Sequence, residues 1–283
     1  MKKILVPYDF SIPATSAFRT ALDLAAKAGG TVHVLHVVEL PVLHDSVLMP
    51  ALSFEKELLR ELRDKAVNRF EAVAKKYSAQ KVKVVFHALF GSVQAKLDDY
   101  IRRYGIDQVI MGSHGASGMR EFFLGSNAEK MIRHATIPVL IIKKYEKKFV
   151  RNIVVPCSLD IAHQQVFLTN VKALQLFFHA KIYLVWINTP LMFTPDTISR
   201  ERLHNLAASA GIKNFTINVF NHHNEEQGIV EFNKLVNGDL IALGTHGRKR
   251  MDHVLLGSLS EDIANHVSTW VWTSPLQKNK SRS

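Results

Sequence analysis

A glycine motif of a kind that binds phosphate occurs twice in this 283-residue chain. Gly112-Ser-His-Gly115 is followed, after nine intervening residues, by Gly125-Ser126. Gly244-Thr-His-Gly247 is followed at the same spacing by Gly257-Ser258, and each motif comes after a short apolar run. Glycine lets backbone N–H groups approach an anion, and the later Gly-Ser can begin a helix whose N-terminus attracts negative charge. The repeated spacing therefore predicts two phosphate-binding loops.

The repeat extends beyond the glycine motifs. Lys3-Ile-Leu-Val-Pro7 recurs 149 residues later as Asn152-Ile-Val-Val-Pro156, whereas the glycine motifs are 132 residues apart. The second copy is thus 17 residues shorter between its first strand and its glycine loop. So long a period indicates two homologous domains, because solenoid repeats span only about 20–50 residues. We place the domains at 1–147 and 148–283, with the boundary in a charged stretch.

Apolar runs alternate with helical stretches in both copies, and several runs are almost continuously apolar, as in strands covered on both faces. The expected strands lie near Ile4–Val6, Val32–Val38, Val82–Phe86, Val109–Met111, Pro138–Ile142, Ile153–Val155, Ile182–Ile187, Phe215–Phe220, Leu240–Leu243 and Thr269–Trp272. This order predicts an α/β fold with two tandem doubly wound domains, each a five-stranded parallel sheet with helices on both faces.

In such a sheet, ligands bind beyond the carboxyl ends of the strands, where the winding reverses. The first strand ends at Pro7-Tyr8-Asp9 and the fourth at Gly112. We therefore expect Asp9 and the first glycine loop to face one crevice.

Composition narrows the class of protein. Hydrophobic residues make up 47% of the chain, the mean hydropathy is +0.02, and no apolar run approaches the roughly 20 residues that span a bilayer. Met1-Lys-Lys-Ile-Leu-Val-Pro7 does not read as a signal peptide, and the single Cys157 allows no internal disulfide. These features predict a cytoplasmic protein without a membrane partner, in which Cys157 is a small buried residue.

The net charge of +11 raises the question of a nucleic-acid partner. The cations are interspersed with acids, as in Arg60-Glu-Leu-Arg-Asp-Lys65, which is typical of a solvated helix face. We therefore expect no nucleic-acid partner, whereas small anions such as nucleotides would suit the positive surface.

The chain resembles a tandem universal stress protein. The resemblance rests on Val6-Pro-Tyr-Asp-Phe-Ser11, Leu35-His-Val-Val38, both glycine motifs and Ile137-Pro-Val-Leu-Ile-Ile142, and it covers nearly the whole chain. It implies an ATP- or ADP-binding protein of the stress response. It also implies that the last strands, Val139–Ile142 and Thr269–Thr273, pair with each other, and that two chains form a homodimer.

The resemblance also implies a nucleotide site in the first copy. Adenine would lie against the backbone near Val37, Asp9 would lie near the ribose or a phosphate-bound Mg²⁺, and Gly125, Ser126 and Asn127 would hold phosphates at the start of the last helix. The residues themselves agree, because a helix N-terminus is partly positive and Ser126 is placed to cap the helix or to contact a phosphate oxygen. Without a ligand, Gly125-Ser126 is simply a helix start. The implied site residues are Pro7, Asp9, Val37, Met111, Gly112, Gly115, Gly125, Ser126 and Asn127.

The second copy departs from this pattern. Ser158 stands where the first copy has Asp9, although the cations Arg248-Lys-Arg250 follow the glycine loop. The implied second-site residues are Gly244, Gly247, Arg248, Gly257 and Ser258. The loss of the carboxylate and the shorter middle, with a helix predicted at Ile198–Ala210, favour a structural or regulatory second domain.

Two alternatives to a nucleotide-dependent regulator remain open. One is a slow ATPase or other nucleotide-using enzyme, for which the chain lacks a Walker A lysine motif and an obvious residue to position water, so at most weak hydrolysis is expected. The other is an interaction scaffold with unknown protein partners, which would bind no nucleotide at either copy.

Overall fold

The computed structural model describes residues 1–39, 51–77, 81–113, 124–147, 149–160, 164–245 and 255–276; the side chains of 51–56 and 255–258 are outside this description. The first half contains β1 (Lys3–Pro7), α1 (Ile12–Ala28), β2 (Thr31–Val38), α2 (Ala51–Lys76), β3 (Lys83–Phe90), α3 (Val93–Tyr104), β4 (Gln108–Gly112), α4 (Ser126–His134) and β5 (Val139–Ile142). The second half contains β6 (Asn152–Pro156), α5 (Gln165–Phe178), β7 (Lys181–Asn188), α6 (Asp196–Ala210), β8 (Phe215–Asn221), α7 (Glu225–Leu235), β9 (Leu240–Thr245), α8 (Leu255–His266) and β10 (Trp270–Pro275).

These strands form one ten-stranded sheet in the order β3-β2-β1-β4-β5-β10-β9-β6-β7-β8. Within each half every pairing is parallel, and the winding reverses between β1 and β4 and again between β6 and β9. The predicted α/β fold with two doubly wound halves is confirmed.

The two halves are joined by an antiparallel pair, β5 with β10. Leu140 lies opposite Trp272, and Val139 lies opposite Thr273. The expectation that the last strands pair within the chain is confirmed. Homodimer formation and the domain boundary at residue 147 stay predictions.

Helices cover both faces of the sheet. Ile4 and Val6 of β1 point to one face and pack in a core with Phe18 of α1, whereas Leu5 points to the other face and packs in a core with Met131 of α4. Both cores extend into the second half, so the chain folds as three layers. No helix among the described residues has the length and apolar character to cross a bilayer.

A carboxylate anchors the first strand of each half at the same place. Asp107 Oδ2 accepts hydrogen bonds from the N–H groups of Lys2 and Lys3, at 2.7 and 2.9 Å. Asp239 Oδ2 accepts from the N–H groups of Arg151 and Asn152, at 2.8 and 3.0 Å. The sequence repeat is therefore also a repeat of hydrogen bonds.

Two histidines share the hydroxyl of Tyr100 between α3 and the sheet. Tyr100 Oη lies 3.0 Å from His33 Nδ1 and 2.7 Å from His87 Nδ1. Burial lowers the pKa of both imidazoles, and neighbouring positive charges lower it further. Burial also raises the pKa of Tyr100. The cluster therefore favours uncharged imidazoles in the folded chain.

We expect this cluster to make stability depend on pH. The pKa of each histidine is lower in the folded chain than its unfolded value of about 6.5. The resulting contribution to folding stability is fully present above about pH 6.5 and is lost as the pH falls from there through the folded-state pKa. Thermal unfolding midpoints between about pH 7.5 and 5 should therefore decrease with acidification. The double variant His33→Gln/His87→Gln should show a smaller change of the unfolding midpoint with pH, whereas a variant of the exposed His204, His204→Gln, should retain the wild-type change. An equally steep slope in the double variant would contradict this origin.

Candidate nucleotide-binding site

A cavity of about 310 Å³ opens at the carboxyl ends of β1, β2 and β4, where the first half reverses its winding. Eight of the nine residues implied for the first site line it: Pro7, Asp9, Val37, Met111, Gly112, Gly125, Ser126 and Asn127. The ninth, Gly115, lies outside the described residues. The fold therefore brings strand ends and the start of α4 to one crevice.

Sequence reasoning missed several lining residues: Tyr8, Ala14, Leu35, Glu39, Val93, Leu97 and Ala128. Most are apolar residues that look like ordinary core positions. Glu39 differs, because it directly follows β2 at the carboxyl edge, and that placement was a usable signal. Its Oε1 accepts from the N–H of Val93 at 3.4 Å.

Backbone hydrogen bonds hold Ser113 and Gly125, which flank residues 114–124 of the first glycine motif; we call the stretch from 113 to 125 the first glycine segment. Ser113 N–H donates to the carbonyl of Ile142 at 3.0 Å, and Gly125 N–H donates to the carbonyl of Ser113 at 2.6 Å. A Cβ on Gly112 would lie 2.5 Å from Cβ of Pro13 and 2.6 Å from its carbonyl carbon. Glycine is therefore needed here to let α1 approach β4.

Gly125, in an extended conformation, is the N-cap of α4, and the helix start has no side-chain cap. Ser126 is the first helical residue, so the expectation that Ser126 caps the helix is wrong; its contact with a phosphate stays a prediction. Ser126 and Asn127 are exposed and line the cavity. The first-turn N–H groups of a helix lack intrahelical acceptors and carry partial positive charge, which is suited to an anion.

Among the residues that the structure describes, Asp9 and Glu39 are the carboxylates that line the cavity. Asp9 Oδ1 accepts from the N–H of Ser11 at 3.0 Å, and Ser11 in turn caps α1 through its bond from Ala14 N–H. The described residues contain no group of three or more histidine, cysteine or acidic side chains arranged to hold a metal ion. The two carboxylates could supplement oxygens that a ligand brings to a cation.

The equivalent crevice of the second half is almost filled, with a cavity of about 60 Å³. Leu276, which follows β10, donates from its N–H to the Thr245 carbonyl at 2.8 Å. A Cβ on Gly244 would lie 2.4 Å from Cδ2 of Leu276, so the leucine packs directly over the glycine. This apolar side chain occupies space beside the second glycine motif.

Polar residues complete the filling. Gln164 precedes α5, and its amide nitrogen donates to the carbonyl and hydroxyl oxygens of Ser158 at 2.8 and 2.9 Å. Glu225, the first residue of α7, lines this cavity where Val93, the first residue of α3, lines the other. Ser158 is thus engaged within the chain, and Glu225 adds a carboxylate that would repel a phosphate.

The remaining second-site residues are distributed differently from the first. Gly244 lines the small cavity, whereas Gly247 and Arg248 lie outside the described residues. Gly257 and Ser258 lie within the first turn of α8, which begins two residues earlier at Leu255, and not ahead of the helix as Gly125 does. The two identical spacings therefore do not produce two identical sites.

Cys157 also lines the small cavity, but it is buried, and burial raises the pKa of its thiol to about 12. The prediction of a small buried residue is confirmed. A thiol with so high a pKa is protonated at neutral pH and is a poor nucleophile.

Residues 1–143 and 186–275 match the model of the universal stress protein family. The chain belongs to this family. Two relatives from Methanocaldococcus jannaschii are similar to one half: universal stress protein MJ0531 is 27% identical, covering 52% of this chain and 85% of the relative. Universal stress protein MJ0577 is 29% identical, covering 50% and 95% respectively.

A crystal structure of a universal stress protein from Archaeoglobus fulgidus matches the whole molecule, with a TM-score of 0.71 and 18% identity over 99% of this chain and 97% of that one. This likeness supports the shared fold with two family domains. The second segment of the family match begins within β7, after the connection between β6 and α5 that contains Ser158 and Gln164.

The two strand-end glycines provide a matched pair of variants. Gly112→Ala should destabilise the protein by about 1–3 kcal/mol, because the new methyl group meets Pro13 backbone atoms that cannot move independently. Gly244→Ala should cost less, because its obstacle is the end of the Leu276 side chain, which can change rotamer. Urea unfolding of both variants tests this order, and a larger loss for Gly244→Ala would contradict it.

Proposed function

We propose that this universal stress protein binds one adenine nucleotide, ATP or ADP, per chain in the crevice of its first half. We further propose that nucleotide occupancy regulates its role in a stress response. The observation that carries the proposal is the contrast between a cavity of about 310 Å³ in the first half and one of about 60 Å³ in the second. Ligand pockets for small molecules measure about 300–1,000 Å³, so, of the two crevices as the described residues line them, the first has sufficient room and the second does not.

The lining of the first crevice suits the two ends of a nucleotide. Leu35, Leu97 and Met111 supply apolar surface for a base. At the other side, Ser126 and Asn127 begin α4, where backbone N–H groups and the helix dipole favour phosphate. Val37 provides strand-end backbone for the base, as the family resemblance implies.

Mg²⁺ is expected to accompany the phosphates, where it would neutralise part of their charge. Asp9 and Glu39 are the residues that would hold it, because magnesium prefers carboxylate and phosphate oxygens. Without a cation, the same carboxylates would repel the phosphates. This arrangement supports binding of a magnesium-nucleotide complex over the free nucleotide.

Binding without fast turnover is the function that the lining supports best. Among the described lining residues, the charged side chains are Asp9 and Glu39, and none of these lining residues is a lysine or arginine that could stabilise a transferring phosphoryl group. A regulator whose conformation or partner choice depends on occupancy is therefore favoured over an efficient ATPase. A cytoplasmic location, homodimer formation and the identity of protein partners stay predictions.

The first test counts the nucleotide that accompanies the purified protein. Protein prepared without added nucleotide should release one ATP or ADP per chain on denaturation, identified by chromatography and mass spectrometry. The variant Ser158→Asp restores the missing carboxylate but leaves Leu276 and Gln164 in place, so it should also carry one. Two nucleotides per wild-type chain would show that the second half binds. None, together with no binding of added Mg-ATP, would favour the scaffold alternative.

A charge placed at the start of α4 separates binding from stability. Ser126→Glu puts a carboxylate at the first helical residue, which the helix dipole favours, so the melting temperature should not fall. The same carboxylate should repel phosphates and weaken Mg-ATP binding by about tenfold or more, a loss of at least about 1.4 kcal/mol. Isothermal titration calorimetry measures the affinity. Unchanged affinity would exclude α4 as the phosphate site.

A further inference from the structure

The last helix of the second half reaches the nucleotide site proposed for the first. Because β5 and β10 pair antiparallel, α4 and α8 pack side by side on one face of the sheet. Asn265 lies in the final turn of α8, and its Oδ1 accepts from the backbone N–H of Leu124 at 2.5 Å. Leu124 immediately precedes Gly125, the N-cap of α4.

This hydrogen bond is one of several that link the N-terminus of α4 to the end of β5. Lys143, the residue after β5, donates from Nζ to the carbonyl of Asn265 at 2.6 Å. The neighbouring Ile142 carbonyl accepts from Ser113, whose own carbonyl accepts from Gly125. Ser113 is therefore hydrogen-bonded directly to the last residue of β5. Leu124 is linked to the residue after β5, Lys143, through Asn265.

The sequence repeat shows that this contact is one-sided. Arg133 in α4 stands 132 residues before Asn265 and occupies the same position in the repeat. A guanidinium group has no acceptor, so Arg133 cannot accept from a backbone N–H of the second half. It instead pairs with the buried Glu261 of α8, with Nη2 2.6 Å from Oε2. The asparagine acceptor thus serves the open crevice, and Arg133, its equivalent in the repeat, does not provide such an acceptor for the second crevice.

We propose that Asn265 is a positioning residue for the nucleotide site, through which the filled second half fixes the anion-binding start of α4. The proposal rests on adenine-nucleotide binding in the first crevice. Phosphate binding to helix N–H groups requires those groups in a fixed geometry, and a helix start that must be ordered on binding loses affinity. The second half then serves the same ligand without binding one itself.

The experiment compares Asn265→Ala with Asn170→Ala in the full-length protein. Asn170 is also partly buried, and its Nδ2 donates to Ser274 Oγ at 2.8 Å. It lies on α5, whose buried side chains belong to the core on one face of the sheet, whereas those of α4 and α8 belong to the core on the other. Asn265→Ala should weaken Mg-ATP binding about threefold to tenfold, the range of one hydrogen bond to stability or binding. Asn170→Ala should leave the affinity unchanged even if it lowers the melting temperature.

A second readout does not depend on the nucleotide. Amide hydrogen exchange of Leu124, measured by NMR without ligand, should accelerate in Asn265→Ala and stay unchanged in Asn170→Ala. Asn265→Asp keeps the acceptor oxygen, with Lys143 nearby to offset its charge, and should retain slow exchange and near-normal affinity. If the alanine variant fails to fold, Asn265→Ser, whose hydroxyl is too short to span the gap, replaces it.

The outcomes separate this proposal from the one on which it rests. If the wild-type protein binds Mg-ATP and Asn265→Ala binds it equally well, the positioning role is wrong and the nucleotide function stands. If the wild-type protein binds no nucleotide, both proposals fail, whatever the exchange of Leu124 shows. The positioning role is supported if Asn265→Ala shows both weaker Mg-ATP binding and faster exchange of the Leu124 amide, and Asn170→Ala shows neither.

Discussion

The antiparallel pairing of β5 with β10 is the constraint on which the rest of the molecule depends. Each half taken separately would end in an edge strand with unpaired N–H and C=O groups. Pairing the two edges satisfies these groups and places Leu140 opposite Trp272, both of which are buried. It also extends the two hydrophobic cores across the junction, so the halves share helix contacts that neither could make alone.

Topology alone does not make a binding site in this fold. Both halves reverse their winding at equivalent strands, and both place a glycine at the end of the fourth strand. In the first half, the backbone of Pro13 packs against Gly112, and the cavity beside Gly112 remains open. In the second, the side chain of Leu276 packs against Gly244, and Gln164 occupies the space beside Ser158. The volume of a few side chains thus separates an open crevice from a packed core, which is why fold alone does not specify function.

Local pattern was sufficient for most of the fold. The apolar runs marked all ten strands, and the predicted start of the last helix of the first half at Ser126 agrees with α4. Differences occurred where the pattern is weak: β3 continues to Phe90, beyond the predicted end at Phe86, and α6 begins at Asp196 instead of Ile198. The capping role expected of Ser126 failed because an extended glycine, Gly125, already occupies the cap position.

The sequence by itself determined the tandem repeat, the α/β architecture and the meeting of Asp9 with the end of β4 at one crevice, because strand ends and glycine turns are local features with a fixed place in a doubly wound sheet. Only the tertiary structure decided that Leu276 fills the second crevice and that Asn265 contacts Leu124, a residue 141 positions away. Such outcomes depend on which side chain occupies a shared volume and which helix lies beside it. Hydrophobic periodicity carries no record of either, since it reports the face on which a residue lies and not the partner that it meets there.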